Sequence, residues 1–210
     1  MILKLHDFWR SSAAYRVRIA LNLKGLAYTS VPTDLPGGAH RTEAYLAENP
    51  QGLVPMLEAD GMKISQTLAI MDWLDSHCAT PRLIPVAPVA RAAELSKAMA
   101  IIADIHPINN LRILQYLKDV LGHDQPVIDQ WIRHWISIGF AGLEAMADPA
   151  KPYLSGDTPG LADCCLIPQM YNATRFETQL DAFPNLVRID AACTALDAFK
   201  RAHPDSVKGD

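Results

Sequence analysis

Ile2-Leu3-Lys4-Leu5-His6, the loop Asp7-Phe8-Trp9-Arg10-Ser11, the run Ser12 to Lys24 and then Ala27 to Val31 together set the architecture. The first five residues alternate apolar and polar, the period of a half-buried strand. In Ser12 to Lys24, Val17, Ala20 and Leu21 recur at helical spacing, and Gly25 is a natural stop for the helix. Ala27 to Val31 is strand-like again. Strand, helix and strand joined by short loops form a βαβ unit, so the two strands are expected to be parallel.

Pro36-Gly37-Gly38 breaks the pattern, and a short helix around Thr42 to Glu48 follows before Asn49-Pro50. Val54 to Glu58 and Met62 to Ile64 flank Asp60-Gly61, a hairpin signal. Gln66 to Cys78 reads as a helix with Leu68, Met71 and Leu74 on one face. The texture changes at Thr80-Pro81-Arg82-Leu83-Ile84-Pro85-Val86-Ala87-Pro88, a proline-rich linker. Every long segment after it is helical: Ala90 to Leu121, interrupted at His106-Pro107, Pro126 to Met146, Leu161 to Phe176 and Arg188 to Arg201. The expectation is a small α/β domain over residues 1–82 and an all-α domain over 83–210.

Composition narrows the function classes. The 210 residues are 50% hydrophobic and 20% charged, enough to bury a core. Lys and Arg number 19 against 23 Asp and Glu, a net −4 that argues against a nucleic-acid binder. Residues 1–82 carry 8 basic and 8 acidic side chains and residues 83–210 carry 11 and 15, so the acid surplus belongs to the helical part. No apolar run has membrane-spanning length and the N-terminus lacks a signal-peptide pattern, so a cytoplasmic location is expected. The four cysteines, Cys78, Cys164, Cys165 and Cys193, form no C-x-x-C and suit reduced buried thiols. The seven histidines show no metal-ligand spacing, and no P-loop, G-x-S-x-G or G-x-G-x-x-G is present.

Chemistry points to the first loop. A helix start offers unpaired N–H groups and partial positive charge, so Ser11 and Ser12, with Arg10, Arg16 and Arg18 nearby, form a place that can hold a thiolate. Simple N-capping by Ser11 or Ser12 explains the same residues, and the two readings are compatible. Val54-Pro55 opens a strand where an edge trans proline and a cis peptide are both open. Ser65-Gln66-Thr67 precedes a helix and can hold a carboxylate or merely supply Ser65 as a cap. Asp72 and Asp75 read as a solvated helix face, Trp131 and Trp135 as core. Gly160-Leu161-Ala162-Asp163 reads as a capping box with glycine at the cap.

Several motifs together resemble the zeta class of the glutathione transferases. They are Arg10-Ser11-Ser12-Ala13-Ala14-Tyr15-Arg16-Val17-Arg18-Ile19-Ala20-Leu21, Asn49-Pro50-Gln51-Gly52-Leu53-Val54-Pro55, Gln66-Thr67-Leu68-Ala69-Ile70, His106-Pro107-Ile108-Asn109-Asn110-Leu111-Arg112, and Asp163-Cys164-Cys165-Leu166-Ile167-Pro168-Gln169 with Arg175-Phe176. The resemblance runs in order along nearly the whole chain. It implies the glutathione transferase fold, an α/β thioredoxin-like N-terminal domain plus an all-α C-terminal helical domain, and a homodimer. It also implies glutathione as co-substrate, bound in a cleft between the domains. By position, Ser11 would stabilise the glutathione thiolate with Ser12 beside it. Val54 before a cis-Pro55 would pair with the peptide, and Gln66 and Thr67 would take the γ-glutamyl end. His40, His106, Asn110 and Arg112 would line the rest, and Arg10 and Arg175 would hold substrate carboxylates through their bidentate forks.

The implied activity is cis–trans isomerisation of a maleyl diacid, maleylacetoacetate or maleylpyruvate, to its fumaryl isomer in aromatic-compound catabolism. Three positions depart from the zeta pattern: Ala13 stands where that pattern has cysteine, Thr67 where it has serine, and Gly160 where it has a hydroxyl cap. The alternatives are a conjugating transferase for small electrophiles or halo-acids and a non-catalytic binding protein on this fold. The pair Ser11-Ser12 beside Arg10 weighs against the second.

Overall fold

The computed structural model describes residues 1–208. The chain packs as two compact units, Met1–Leu83 together with residues 195–208, and Ile84–Thr194.

In the first unit, β1 (Leu3–Asp7) leads through the loop into α1 (Ser12–Leu23), and β2 (Thr29–Pro32) returns parallel to β1. A short α2 (Glu43–Glu48), capped by Thr42, precedes the antiparallel hairpin β3 (Met56–Ala59) and β4 (Met62–Ser65), then α3 (Thr67–His77). The sheet order is β2-β1-β3-β4, with β1 antiparallel to β3. Asp60 and Gly61 both have positive φ, +46° and +88°, as a two-residue hairpin turn that follows the strand twist requires. Leu3 and Leu5 of β1, Val17, Ala20 and Leu21 of α1, Leu57 of β3, and Ile70, Met71 and Leu74 of α3 are buried and form the core.

The C-terminal segment, expected within the helical domain, packs with this first unit instead. One predicted helix over 188–201 is two, α8 (Pro184–Thr194) and α9 (Asp197–Ala202), followed by α10 (Pro204–Val207). Leu196 is extended at φ −81°, ψ 138°, which turns the chain away from α8. α9 then lies on α1, where Asn22 donates to Ala198 O at 2.9 Å and Arg18 Nε to Ala202 O at 3.0 Å.

Asp75 is 3% exposed and not on a solvated face. It accepts from Leu83 N and pairs with Lys24 Nζ at 2.6 Å. That ammonium also donates to Cys78 O and Pro81 O, so a buried cation is fully coordinated where α3 gives way to the proline-rich segment.

The second unit is helical. α4 (Pro88–Met99) runs on through a π-helical stretch at Ala100–Ile105, and the helix ends at His106-Pro107, as the proline demands. α5 (Leu111–Gln115), a second π-helical stretch at Tyr116–Val120, α6 (Gln125–Met146) and α7 (Leu161–Arg175) precede α8. The buried stripe of α6 is Ile128, Ile132, Ile136, Phe140 and Leu143. Trp131 and Trp135 lie one position off that stripe and are half-buried, so they edge the core rather than fill it.

The start of α7 is a buried polar knot. Asp163 is fully buried and accepts from Gly160 N at 2.9 Å, Leu154 N at 2.7 Å and Ser155 N at 3.2 Å. Gly160 has no side chain to return the capping bond. Glu94 of α4 supplies oxygen there instead, accepting from Ala162 N at 2.7 Å and Ser155 Oγ at 2.6 Å. Among the described residues no three His, Cys, Asp or Glu side chains are grouped to hold a metal ion.

Asp190 on α8 has no such partners, and burial pushes its carboxyl from the ordinary 3.8 up to about 6. The folded state therefore binds the proton more tightly than the unfolded one. The stability this group contributes is fully present below the unfolded pKa and is lost as pH rises through about 6. Asp190→Asn is expected to raise stability at pH 7 by roughly 2–3 kcal/mol and to change it little at pH 4. Thermal melts across that range check this, and equal melting temperatures at pH 7 would contradict it.

Candidate active site

Register decides what meets at one end of the sheet. His6 of β1 pairs with Met56 of β3, which pairs with Ser65 of β4. The chain leaving β1, the chain entering β3 and the chain leaving β4 therefore share one edge. These are the loop to Arg10-Ser11-Ser12, the segment Val54-Pro55 and the step Gln66-Thr67. His40 joins them through Gly52, whose α-carbon lies so close to His40 O that an added Cβ would stand 3.1 Å from it. The seven first-unit residues singled out from the sequence, Arg10, Ser11, Ser12, His40, Val54, Gln66 and Thr67, thus lie on or beside three loops at one sheet end.

Ser11 is the N-cap of α1, with extended backbone at φ −69°, ψ 118°, and its Oγ accepts from Ala14 N at 3.3 Å. Capping uses an oxygen lone pair and leaves the hydroxyl proton to donate, so one serine can cap the helix and still serve a ligand. Ser12 is buried inside the first turn. Arg10 Cζ stands 5.3 Å from the Trp9 ring centroid. Arg16 and Arg18, by contrast, are each 1% exposed, and Arg18 is neutralised by Asp7, so neither adds open positive potential as the sequence suggested.

Val54 precedes a cis peptide to Pro55. Its backbone N–H and C=O make no hydrogen bond among the described residues. The cap of α3 is Gln66, not Ser65, which remains in β4. Gln66 has φ +72° and caps with no side-chain bond, so the first N–H groups of α3 lack side-chain acceptors. Its amide instead donates to Gln51 Oε1 at 2.8 Å. Thr67 is 6% exposed at the first helical position. His40 Nδ1 is buried without a partner, and burial, with Arg41 nearby, lowers the pKa of the ring, so it is neutral at pH 7.

The remaining four residues belong to the second unit. His106 ends the first π-helical stretch. Asn110 caps α5 by accepting from Arg112 N at 3.2 Å, and Arg112 is exposed. Arg175, in the last turn of α7, stacks 4.5 Å from the Phe176 ring centroid. The sequence did not single out Asp7 as the partner of Arg18, or Glu94 at the start of α7. Each carboxylate lies far from what it bonds or is hidden by an ordinary polar spacing, so no local pattern reveals it.

Residues 1–76 match the glutathione S-transferase N-terminal domain. The maleylacetoacetate isomerase of Rhizobium meliloti is 46% identical over 206 residues, 97% of each chain. A holo structure of a maleyl pyruvate isomerase, a bacterial glutathione S-transferase of the zeta class, superposes with TM-score 0.94 at 44% identity over 97% of each chain. A maleylacetoacetate isomerase from Anaeromyxobacter dehalogenans with GSH in its active site gives 0.87 at 40% identity, covering 98% of this chain and 96% of that one. The two-unit chain, with its thioredoxin-like sheet and helical second part, is a glutathione S-transferase by fold. It belongs to the zeta class of that family, alongside the maleylacetoacetate and maleylpyruvate isomerases.

The backbone of Gln66 is strained, since a positive φ in a residue with a Cβ costs about 1 kcal/mol or more. Gln66→Gly is expected to hold or raise the melting temperature despite losing the exposed contact to Gln51. A marked fall would show that the side chain, not the backbone, dominates there.

Proposed function

We propose that this protein is a glutathione-dependent cis–trans isomerase that converts a maleyl diacid, maleylacetoacetate or maleylpyruvate, to its fumaryl isomer in aromatic-compound catabolism. The observation that carries this reading is the unused hydrogen-bonding capacity at one sheet end. The Ser11 hydroxyl keeps a proton to give, Val54 keeps its backbone groups, α3 keeps uncapped N–H groups, and His40 keeps a buried ring nitrogen. That set fits glutathione: a thiolate at Ser11, a peptide along Val54, and a γ-glutamyl carboxylate at Gln66 and Thr67.

When bound, glutathione supplies a thiolate that adds to the cis double bond and is released once the resulting single bond has rotated. The chain's residues do the rest. Ser11 donates to the thiolate and the N-terminus of α1 adds partial positive charge, which together lower the thiol pKa and so populate the thiolate at neutral pH. Ser12 stands beside it. Arg10 and Arg175 bind the substrate carboxylates and stabilise the negative charge that builds on the substrate during addition. His40, His106, Asn110 and Arg112 line the site. Because the sulfur comes from glutathione, Ala13 in place of a cysteine leaves this chemistry intact.

The same reading carries a homodimer and a cytoplasmic location. Free thiols at Cys78, Cys164, Cys165 and Cys193 suit a reducing compartment. No described helix is long and apolar enough to cross a membrane.

Ultraviolet absorbance of maleylacetoacetate and of maleylpyruvate, with and without glutathione, tests the proposal. Fumaryl product is expected only with glutathione. Ser11→Ala is expected to lower kcat by about 10²-fold, the usual effect of removing one preorganised donor, and Arg10→Met to raise KM for the diacid. Equal rates without glutathione, or none with it, would sink the reading.

A further inference from the structure

We propose that Arg18 is a positioning residue: its buried guanidinium fixes the loop that presents Arg10 and Ser11 and ties that loop to the C-terminal segment. The inference rests on the reading of Ser11 as the thiolate donor. It assigns control of that donor's placement to a residue outside the ligand's reach and to a part of the chain nearly two hundred residues away.

Arg18 sits two turns into α1 and is 1% exposed. Its Nη1 lies 2.8 Å from both carboxylate oxygens of Asp7, the last residue of β1. Nη2 donates to Trp9 O at 2.9 Å, in the middle of the loop. Nε donates to Ala202 O at 3.0 Å, the last residue of α9. One planar group thus joins the strand end, the loop, its own helix and the tail. Among the described residues the loop's other backbone ties are three: Ser11 N donates to Phe8 O at 2.8 Å, Tyr15 N to Ser11 O at 2.8 Å, and Thr33 N to Asp7 O at 2.7 Å, so none of them holds Trp9 or Arg10. Trp9 O is held by Arg18, and Trp9 immediately precedes Arg10.

The tail also meets the start of α1 and, once more, the loop. His203 packs edge-on against Tyr15, with centroids 6.1 Å apart, and Lys208 Nζ stands 5.0 Å from the Trp9 ring centroid. Asn22 holds α9 a second time through Ala198 O.

A buried ion pair is a poor way to gain stability, because desolvation offsets most of the attraction. Direction is what this fork supplies. Its N–H groups point along fixed vectors in one plane, so the oxygens they bind are set relative to one another, which a lysine cannot do. A catalytic donor displaced by an ångström loses much of its effect.

The test uses full-length Arg18→Lys and Arg18→Met, with Asn22→Ala loosening the tail alone. All are compared below their melting temperatures, where circular dichroism shows them folded. Two properties are read: amide hydrogen exchange across residues 8–12 and 197–202, and the pKa of bound glutathione from its thiolate absorbance. Arg18→Lys is expected to speed exchange in both segments together, raise the bound thiol's pKa by about one unit and lower kcat by about tenfold. KM for glutathione should change less than kcat. Asn22→Ala should move the same quantities in the same direction by less. If Arg18→Met does not fold, Arg18→Lys and Asn22→Ala carry the test. Unchanged exchange over 8–12 in folded Arg18→Lys overturns the proposal. So does faster exchange with wild-type thiol pKa and kcat, which would make Arg18 merely structural. If wild-type protein does not lower the thiol pKa at all, the isomerase reading fails by itself, and the exchange data alone then decide whether Arg18 holds the loop.

Discussion

A guanidinium taken out of water is costly unless oxygens meet its N–H groups, and at Arg18 that demand organises the first unit. Asp7, Trp9 O and Ala202 O answer it. To do so, β1 must end where it does, the loop must turn its carbonyl inward, and the chain must come back from the helical unit to lay α9 on α1. Burial raises the Asp7 carboxyl while Arg18 pulls it down, so the charged pair persists because each half satisfies the other. The same logic recurs at Lys24, whose ammonium is closed off by Asp75 and two carbonyls. It recurs at the start of α7, where Asp163 accepts from Leu154 N and Gly160 N, and Glu94 from Ala162 N, which Gly160 cannot cap.

Above this scaffold the proposed site is a set of backbone and hydroxyl groups left unpaired at one end of the sheet. The ladder of β1, β3 and β4 ends in the row His6, Met56 and Ser65, and three loops leave it side by side. One begins a helix under a serine whose proton is unspent, one runs past a cis-proline with its amide groups unpaired, and one begins a helix with no side-chain cap. Helix starts favour a negative group, and the family to which the chain belongs uses glutathione.

Much of this was legible in the sequence where local physics decides the outcome. Alternation in Ile2 to His6, helical spacing in Ser12 to Lys24 and the Asp60-Gly61 turn each specify their element without help from the rest of the chain. The break between α8 and α9 was not legible, because no glycine or proline marks Leu196 and the turn there is set by the contact of α9 with α1. Asp75 read as solvated because its partner Lys24 lies on another helix. The positive φ of Gln66 carries no sequence signal, since glutamine seldom adopts it and nothing nearby demands it. For the candidate site, Ser11 and Ser12 stood out from their place at a helix start, whereas His40, His106, Asn110 and Arg112 were picked out only by resemblance.

In the proposed reaction glutathione is a returning nucleophile rather than a consumed reagent. The direct measurement is a thiol inventory: the protein is incubated with a maleyl diacid and glutathione far below the substrate concentration, and free thiol is titrated once substrate is exhausted. Isomerisation predicts complete conversion to fumaryl product with the thiol undiminished. Thiol lost in step with substrate, with a stable adduct seen by mass spectrometry, would contradict it and mark the protein as a conjugating transferase.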